Sequence, residues 1–212
     1  MHGFTNLTVV DHPLVRHKIG LLRAATTPKK LFSELVDELS MLMAYEVTRG
    51  LEEHDVEIET PLERTIARAV VGQDLVVVPI LRAGLGMAKG FLRLLPTARV
   101  GHVGMARDEE SLEPFEYYYK VPHHEDVRRF IILDPMLATG GSALATIGGL
   151  KERGARRILF ICLVAAPEGV RALAAAHPDV HVYAAALDRE LNSAGYILPG
   201  LGDAGDRLFG TT

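Results

Sequence analysis

Asp134 stands at the end of an apolar run, Phe130-Ile131-Ile132-Leu133, and is followed by Pro135-Met136-Leu137-Ala138-Thr139-Gly140-Gly141-Ser142. In an open α/β sheet, ligands bind at the carboxyl ends of the strands. A Thr-Gly-Gly-Ser turn that opens a helix offers unpaired backbone N–H groups, hydroxyl donors and a favourable dipole, which together suit a phosphate monoester. Asp134, one turn away, can accept hydrogen bonds from sugar hydroxyls. The same residues also read as an acidic strand end followed by an ordinary glycine-rich turn, since such turns are common. Arg82 follows a second, Val-rich run and precedes Ala83-Gly84. Its planar guanidinium can fork onto a phosphate or serve a surface ion pair. Arg107 ends a weaker apolar segment, Arg99 to Met105, and opens a charged, aromatic stretch.

The C-terminal Gly200-Leu201-Gly202-Asp203-Ala204-Gly205 reads formally as G-x-G-x-x-G. A dinucleotide fingerprint needs a strand before it, a helix after it and an acid roughly 20 residues further on. Only seven residues follow Gly205, so a nicotinamide-dependent oxidoreductase has little support. A loop whose glycines let the backbone approach a planar base is the better account. His123-His124 reads as a solvated loop, because adjacent histidines rarely converge on one ion. His102 and His181 lie on strand candidates and read as core or rim residues. Tyr117-Tyr118-Tyr119 could stack a base, although strand alternation puts the middle ring opposite the other two. Cys162, amid Ile161 and Leu163, reads as a buried, inert thiol.

These groups need a scaffold. Helix and strand signals alternate, which predicts an α/β fold built on an open, mainly parallel five-stranded sheet flanked by helices. The strands are Leu75 to Leu81, Arg99 to Met105, Phe130 to Leu133, Ile158 to Val164 and Val180 to Ala184. Continuous Val/Ile/Leu runs suit strands covered on both faces. Helices are expected from Thr27-Pro28 to near Gly50, and near 84–95, 141–153 and 168–176. Thr60-Pro61-Leu62-Glu63 fits a capping box and predicts another helix to about Val70, with Gly72 as its terminator. Residues 107–126 break the rhythm and suggest a β-arm. Residues 192–212 are rich in Gly and Asp, with little periodicity. The expected organisation is one domain over 1–212, with a core at about 60–190, the arm, and a small hood from about 1–30 and 190–212.

The chain has 212 residues, with 23 Lys and Arg against 27 Asp and Glu, a net charge of −4. That balance argues against a protein that coats polyanions, so neither nucleic acid nor membrane is an expected partner. At 48% hydrophobic and 24% charged residues, the composition is that of a globular protein, not a disordered one. One cysteine and an N-terminus without a basic, then apolar, leader fit the cytoplasm.

The Asp134 to Ser142 segment resembles the phosphoribosyl diphosphate (PRPP) signature of the type I phosphoribosyltransferases. Asp-Pro-Met-Leu-Ala-Thr-Gly-Gly-Ser looks like its uracil phosphoribosyltransferase branch. The general pattern has a second acid where this chain has Pro135, leaving one carboxylate for the ribose hydroxyls. His12-Pro13-Leu14-Val15 with His17-Lys18, Tyr45 to Arg49 and Glu59 to Leu62 resemble the same branch. So do Pro79 to Met87, Gly104 to Glu109 and Gly195 to Arg207, in the same order.

The resemblance implies transfer of phosphoribose from PRPP to uracil, giving UMP and diphosphate. Arg82, Arg107, Asp134, Pro135, Met136, Leu137, Ala138, Thr139, Gly140, Gly141, Ser142 and Asp203 would bind PRPP. Ile197, Gly202, Asp203 and Ala204 would bind uracil, whose carbonyls and N–H backbone groups can match. Asp134, Arg107 and Asp203 would be the catalytic set. Mg2+ would arrive with PRPP, without a direct protein ligand; Asp203 would touch its shell through water or assist deprotonation of uracil. Homodimers or higher oligomers are expected, with GTP as a possible effector that no residue here locates. The arm would close over the site or pack on a neighbouring subunit. The alternatives are a phosphoribosyltransferase for another base and a nucleotide-binding regulator on the same scaffold.

Overall fold

Apolar runs long enough to be buried on both faces become the central strands. The computed structural model describes residues 3–70, 75–107, 114–123 and 129–211. In chain order the first half holds β1 (Leu7–Val9), α1 (Pro13–Arg23), α2 (Lys29–Val47), β2 (Glu53–Glu59), β3 (Arg64–Val70), β4 (Leu75–Leu81) and α3 (Leu85–Leu94). Then come β5 (Arg99–Val100), β6 (His102–Arg107), β7 (Pro114–Lys120), β8 (Arg129–Leu133), β9 (Met136–Leu137) and α4 (Gly141–Glu152). The last are β10 (Ile158–Ala165), α5 (Pro167–Ala176), β11 (His181–Leu187), β12 (Glu190–Leu191), β13 (Ile197–Leu198) and α6 (Ala204–Phe209).

The main sheet runs β1-β11-β10-β8-β4-β6-β7, with β5 beside β4 and β9 beside β10. All its pairs are parallel except β6 with β7. The five expected strands form its centre, the one expected over Arg99 to Met105 being split into β5 and β6. Strands β1, β7 and β9 extend it to nine strands in all. One face packs on α1, α2 and α3 through Ile19, Leu22, Phe32, Leu39 and Phe91. The other packs on α4 and α5 through Ile147, Leu150, Val170 and Leu173. Among the described residues, no helix is long and apolar enough to cross a membrane.

Helices α3, α4 and α5 fall where expected, and α2 starts one residue after Pro28, which caps it. Helix α1 is an addition; Pro13 opens it and Val15, Ile19 and Leu22 form its buried face. The helix expected after Thr60 is absent. Thr60 Oγ1 does accept the amides of Leu62 at 3.2 Å and Glu63 at 3.0 Å, so the capping chemistry is present. The chain uses it to reverse direction instead. Strands β2 and β3 pair antiparallel from Glu53 with Val70 to Glu59 with Arg64, as a separate two-stranded sheet. The β-branched Thr65, Ile66 and Val70 favour strand, and the Thr hydroxyl turn serves either structure. Gly72 lies outside the described residues.

The expected arm does contain a strand. Its return segment is β7, an antiparallel edge of the main sheet, while 108–113 and 124–128 lie outside the described residues. Tyr118 pairs with Gly104 but Glu116 with Met105, so Tyr117 is an extra residue at a bulge. Glu116 and Tyr119, three residues apart, would point to opposite faces of a regular strand. The bulge resets the alternation and gives both to Arg153, the residue after α4. Arg153 Nη2 donates to Glu116 Oε1 at 2.8 Å, and its guanidinium carbon lies 3.9 Å from the Tyr119 ring centre. Its Nη1 donates to the Gly149 carbonyl at 3.0 Å. The C-terminal segment, with little periodicity in its sequence, forms the β12–β13 hairpin and α6, which Asp203 caps and Gly210 ends at φ 69°.

Candidate active site

Strand β8 delivers Asp134 to the carboxyl edge of the sheet. Its amide donates to Ile161 O at 3.1 Å, and the Pro135 carbonyl accepts both Leu163 and Val164 amides at 3.0 Å. Those bonds seat the strand tip on β10 before the chain steps through β9 into the turn. Gly140 adopts φ 91° there, a left-handed conformation that side-chain-bearing residues rarely take. It is the N-cap of α4 and no side chain caps the helix. The first amides of α4 are therefore left to a ligand or to water. Asp134, every residue from Met136 to Ala143, and Asp203 line one cavity of about 280 Å3.

Asp134 keeps some surface in the cleft, yet protein atoms crowd its carboxyl. Burial pushes its pKa up to about 7, the Met136 amide opposes that, and the charge of Asp203 adds to it. The Met136 N–H donates to Asp134 Oδ1 at 3.3 Å. Beneath lies Cys162, whose thiol is pushed well up by burial and then by Asp134. Two carboxylates thus share one cavity with the uncapped start of α4. No group of three or more His, Cys, Asp or Glu gathers among the described residues to hold a metal ion.

Arg82 projects from the turn after β4, beyond a cis Leu81–Arg82 peptide bond. A Cβ on Gly84 would stand 2.3 Å from the Leu133 carbonyl, so only glycine lets this turn press on the end of β8. Arg82 is 58% exposed, and its Nη2 lies 3.8 Å from Asp206 Oδ1. An exposed pair that long contributes little, so the guanidinium is available to an anion. Arg107 ends β6, and its side chain lies outside the described structure.

The cavity wall holds Asp134, Met136, Leu137, Ala138, Thr139, Gly140, Gly141, Ser142 and Asp203, but not Pro135, Arg82, Ile197, Gly202 or Ala204. Pro135 is buried and serves the strand tip. Ile197 lies buried on β13, Gly202 takes φ 78°, and Ala204 is the buried first residue of α6. Asp203 joins this segment to the cavity, with its Oδ1 also accepting the Asp206 amide at 2.9 Å. Sequence reading missed Arg23, Asp188, Arg153 and Arg207, which hold the surrounding segments. Each has a partner far along the chain, 37 to 185 residues away, and no local spacing marks it.

A parallel sheet with an acid at one strand tip and an uncapped helix after it is the fold of the type I phosphoribosyltransferases. The chain superposes on a hypoxanthine-guanine phosphoribosyltransferase from Bacillus anthracis with a TM-score of 0.52 at 13% identity, over 76% of this chain and 80% of that one. It superposes far better on the AQ2163 protein from Aquifex aeolicus, with a TM-score of 0.92 at 33% identity, over 97% and 99% of the two chains. Residues 9–211 match the uracil phosphoribosyltransferase family profile, and the chain belongs to that family. A uracil phosphoribosyltransferase from Listeria innocua is 59% identical over 206 residues, 97% of this chain and 99% of its own.

Proposed function

We propose that this chain transfers the 5-phosphoribosyl group of PRPP to uracil, giving UMP and diphosphate, as an enzyme of pyrimidine salvage. The observation that carries this reading is the single cavity joining the Asp134 strand tip, the uncapped start of α4 and Asp203. The Thr139 to Ser142 turn would hold the 5′-phosphate on backbone amides and hydroxyls. The Asp134 carboxyl would hold the ribose hydroxyls. Uracil N1 attacks the ribose C1′ as the bond to diphosphate breaks, and the N1 proton leaves. Arg82 and Arg107 would meet the charge that builds on the departing diphosphate. We assign Asp203 the place between base and PRPP.

Mg2+ fits this cavity, because the Asp134 carboxyl, raised chiefly by burial and further by the charge of Asp203, gains from a nearby cation whose ligands would be PRPP oxygens. When bound, it neutralises diphosphate oxygens as the bond to ribose breaks.

The test is mass detection of UMP after mixing protein, PRPP, Mg2+ and uracil, with orotate and hypoxanthine as competing bases and GTP as an added arm. UMP as the dominant product is expected. Faster turnover of another base would replace uracil, and no product with any base would overturn the reading.

We further propose that the enzyme works as a homo-oligomer in the cytoplasm. The β2–β3 hairpin supports self-association. It stands apart from the main sheet and exposes Ile58, Ile66 and Leu62, the last 95% exposed. An isolated two-stranded hairpin is marginal in water, so apolar cover from a second copy would stabilise it. The N- and C-terminal segments together would form the hood over the base.

A further inference from the structure

Side chains from distant parts of the chain occupy the backbone of the turn after β13. Asp188, just past β11, has a side chain only 4% exposed, and that of Arg23, the last residue of α1, is 21% exposed. Arg23 Nη1 donates to Asp188 Oδ2 at 2.6 Å, and Nη2 donates to Oδ1, so the pair is a two-pronged fork. The same Nη1 donates to the Gly200 carbonyl at 2.7 Å, while the Gly200 amide donates to Asp188 Oδ2 at 2.8 Å. Both backbone groups of Gly200 are thus closed into one ring with the ion pair. Arg207 takes the next carbonyl, donating from Nη1 to Leu201 O at 2.7 Å and to Leu22 O at 2.9 Å.

This turn separates Ile197 from Gly202 and Ala204. Beyond Pro199, whose ring fixes one φ, glycines at 200 and 202 give it little stiffness of its own. A site that reads a base with backbone groups has a fixed donor and acceptor pattern only if those groups stay still. A loose turn can shift to suit an analogue that swaps a carbonyl for an amine. A buried, charge-assisted fork supplies the missing stiffness from outside.

We propose that Arg23 and Asp188 are positioning residues for the base: they lock the turn at Gly200 so that Ile197, Gly202 and Ala204 present one pattern, suited to uracil and not cytosine. This rests on the uracil reading above. Neither residue needs to touch substrate.

Two variants test it. Arg23→Lys keeps the charge and loses the fork; Asp188→Asn keeps the shape and loses the charge. Thermal melts establish that each is folded. Hydrogen exchange of amides in 197–204 is measured in the resting protein, and KM is measured separately for uracil and PRPP. The expected result is faster exchange in that segment and a KM for uracil raised about tenfold, with KM for PRPP within about twofold and cytosine a relatively better inhibitor. Unchanged exchange overturns the proposal. So does faster exchange with both KM values moving together, the mark of a merely structural clamp. Wild-type protein that makes no UMP removes the uracil role, and exchange then decides whether the ring locks the turn.

Discussion

Asp134 holds its proton to a higher pH than an ordinary aspartate. Its pKa, pushed up to about 7 chiefly by burial, lies above that of an unfolded aspartate, so the ligand-free native state binds the proton more tightly. The resulting stabilisation is whole below about pH 4 and disappears as pH rises through about 7. Asp134→Asn removes that dependence. Chemical denaturation of ligand-free protein across pH 4 to 9 should show the variant gaining on the wild type up to about pH 8. The full shift sets a ceiling of about 4 kcal/mol, and water in the open cleft reduces the expected gain to about 2 kcal/mol. A constant gap across the range would sink the account. The same variant should make almost no UMP, since the ribose loses its one carboxylate at the strand tip. Asp134 and its turn were legible in the sequence because strand, acid and turn are contiguous. Arg23 and Asp188 were not, because they meet across 165 residues and neither sits in a pattern.

At the scale of elements, the edge strand β7 is fastened to α4 by Arg153. A Cβ on Gly149 would stand 2.8 Å from Arg153 Nη1, so that helical glycine makes room for the guanidinium. Glycine there costs the helix about 1 kcal/mol relative to alanine, which the fork and the ring contact offset. Arg153→Met should lower stability by about 1 kcal/mol and speed hydrogen exchange in 114–120, leaving the first turn of α4 protected as before. Equal loosening of both segments would show that Arg153 acts on α4 itself and not on the edge strand. Element type was readable where one signal dominates, as in the unbroken apolar runs of β4, β8 and β10. It failed after Thr60, where a hydroxyl turn serves a helix start and a hairpin alike. At β7 the strand was legible but its faces were not, because the bulge at Tyr117 breaks the alternation. Helix α6 escaped notice because six residues are too few for periodicity, although Asp203 and Gly210 mark both its ends.

For the whole molecule, the exposed hairpin predicts the assembly. Leu62→Glu with Ile66→Glu should leave folding intact, because both side chains are exposed and surface changes cost within about 0.5 kcal/mol. The same pair should shift the mass in sedimentation toward the monomer. An unchanged mass would place the subunit contact elsewhere. The net charge of −4 and the phosphate-seeking turn are compatible, since one small anion needs only local positive potential. The ring at Gly200 has a further consequence, in the order of synthesis. Its Arg23-to-Gly200 bond spans 177 residues, whereas the turn that would hold phosphate is complete within a dozen residues of its strand. A ribosome issues the phosphate half first and the base half last. The growing chain thus carries the seat for the 5′-phosphate of PRPP well before it holds the segment that would choose the base.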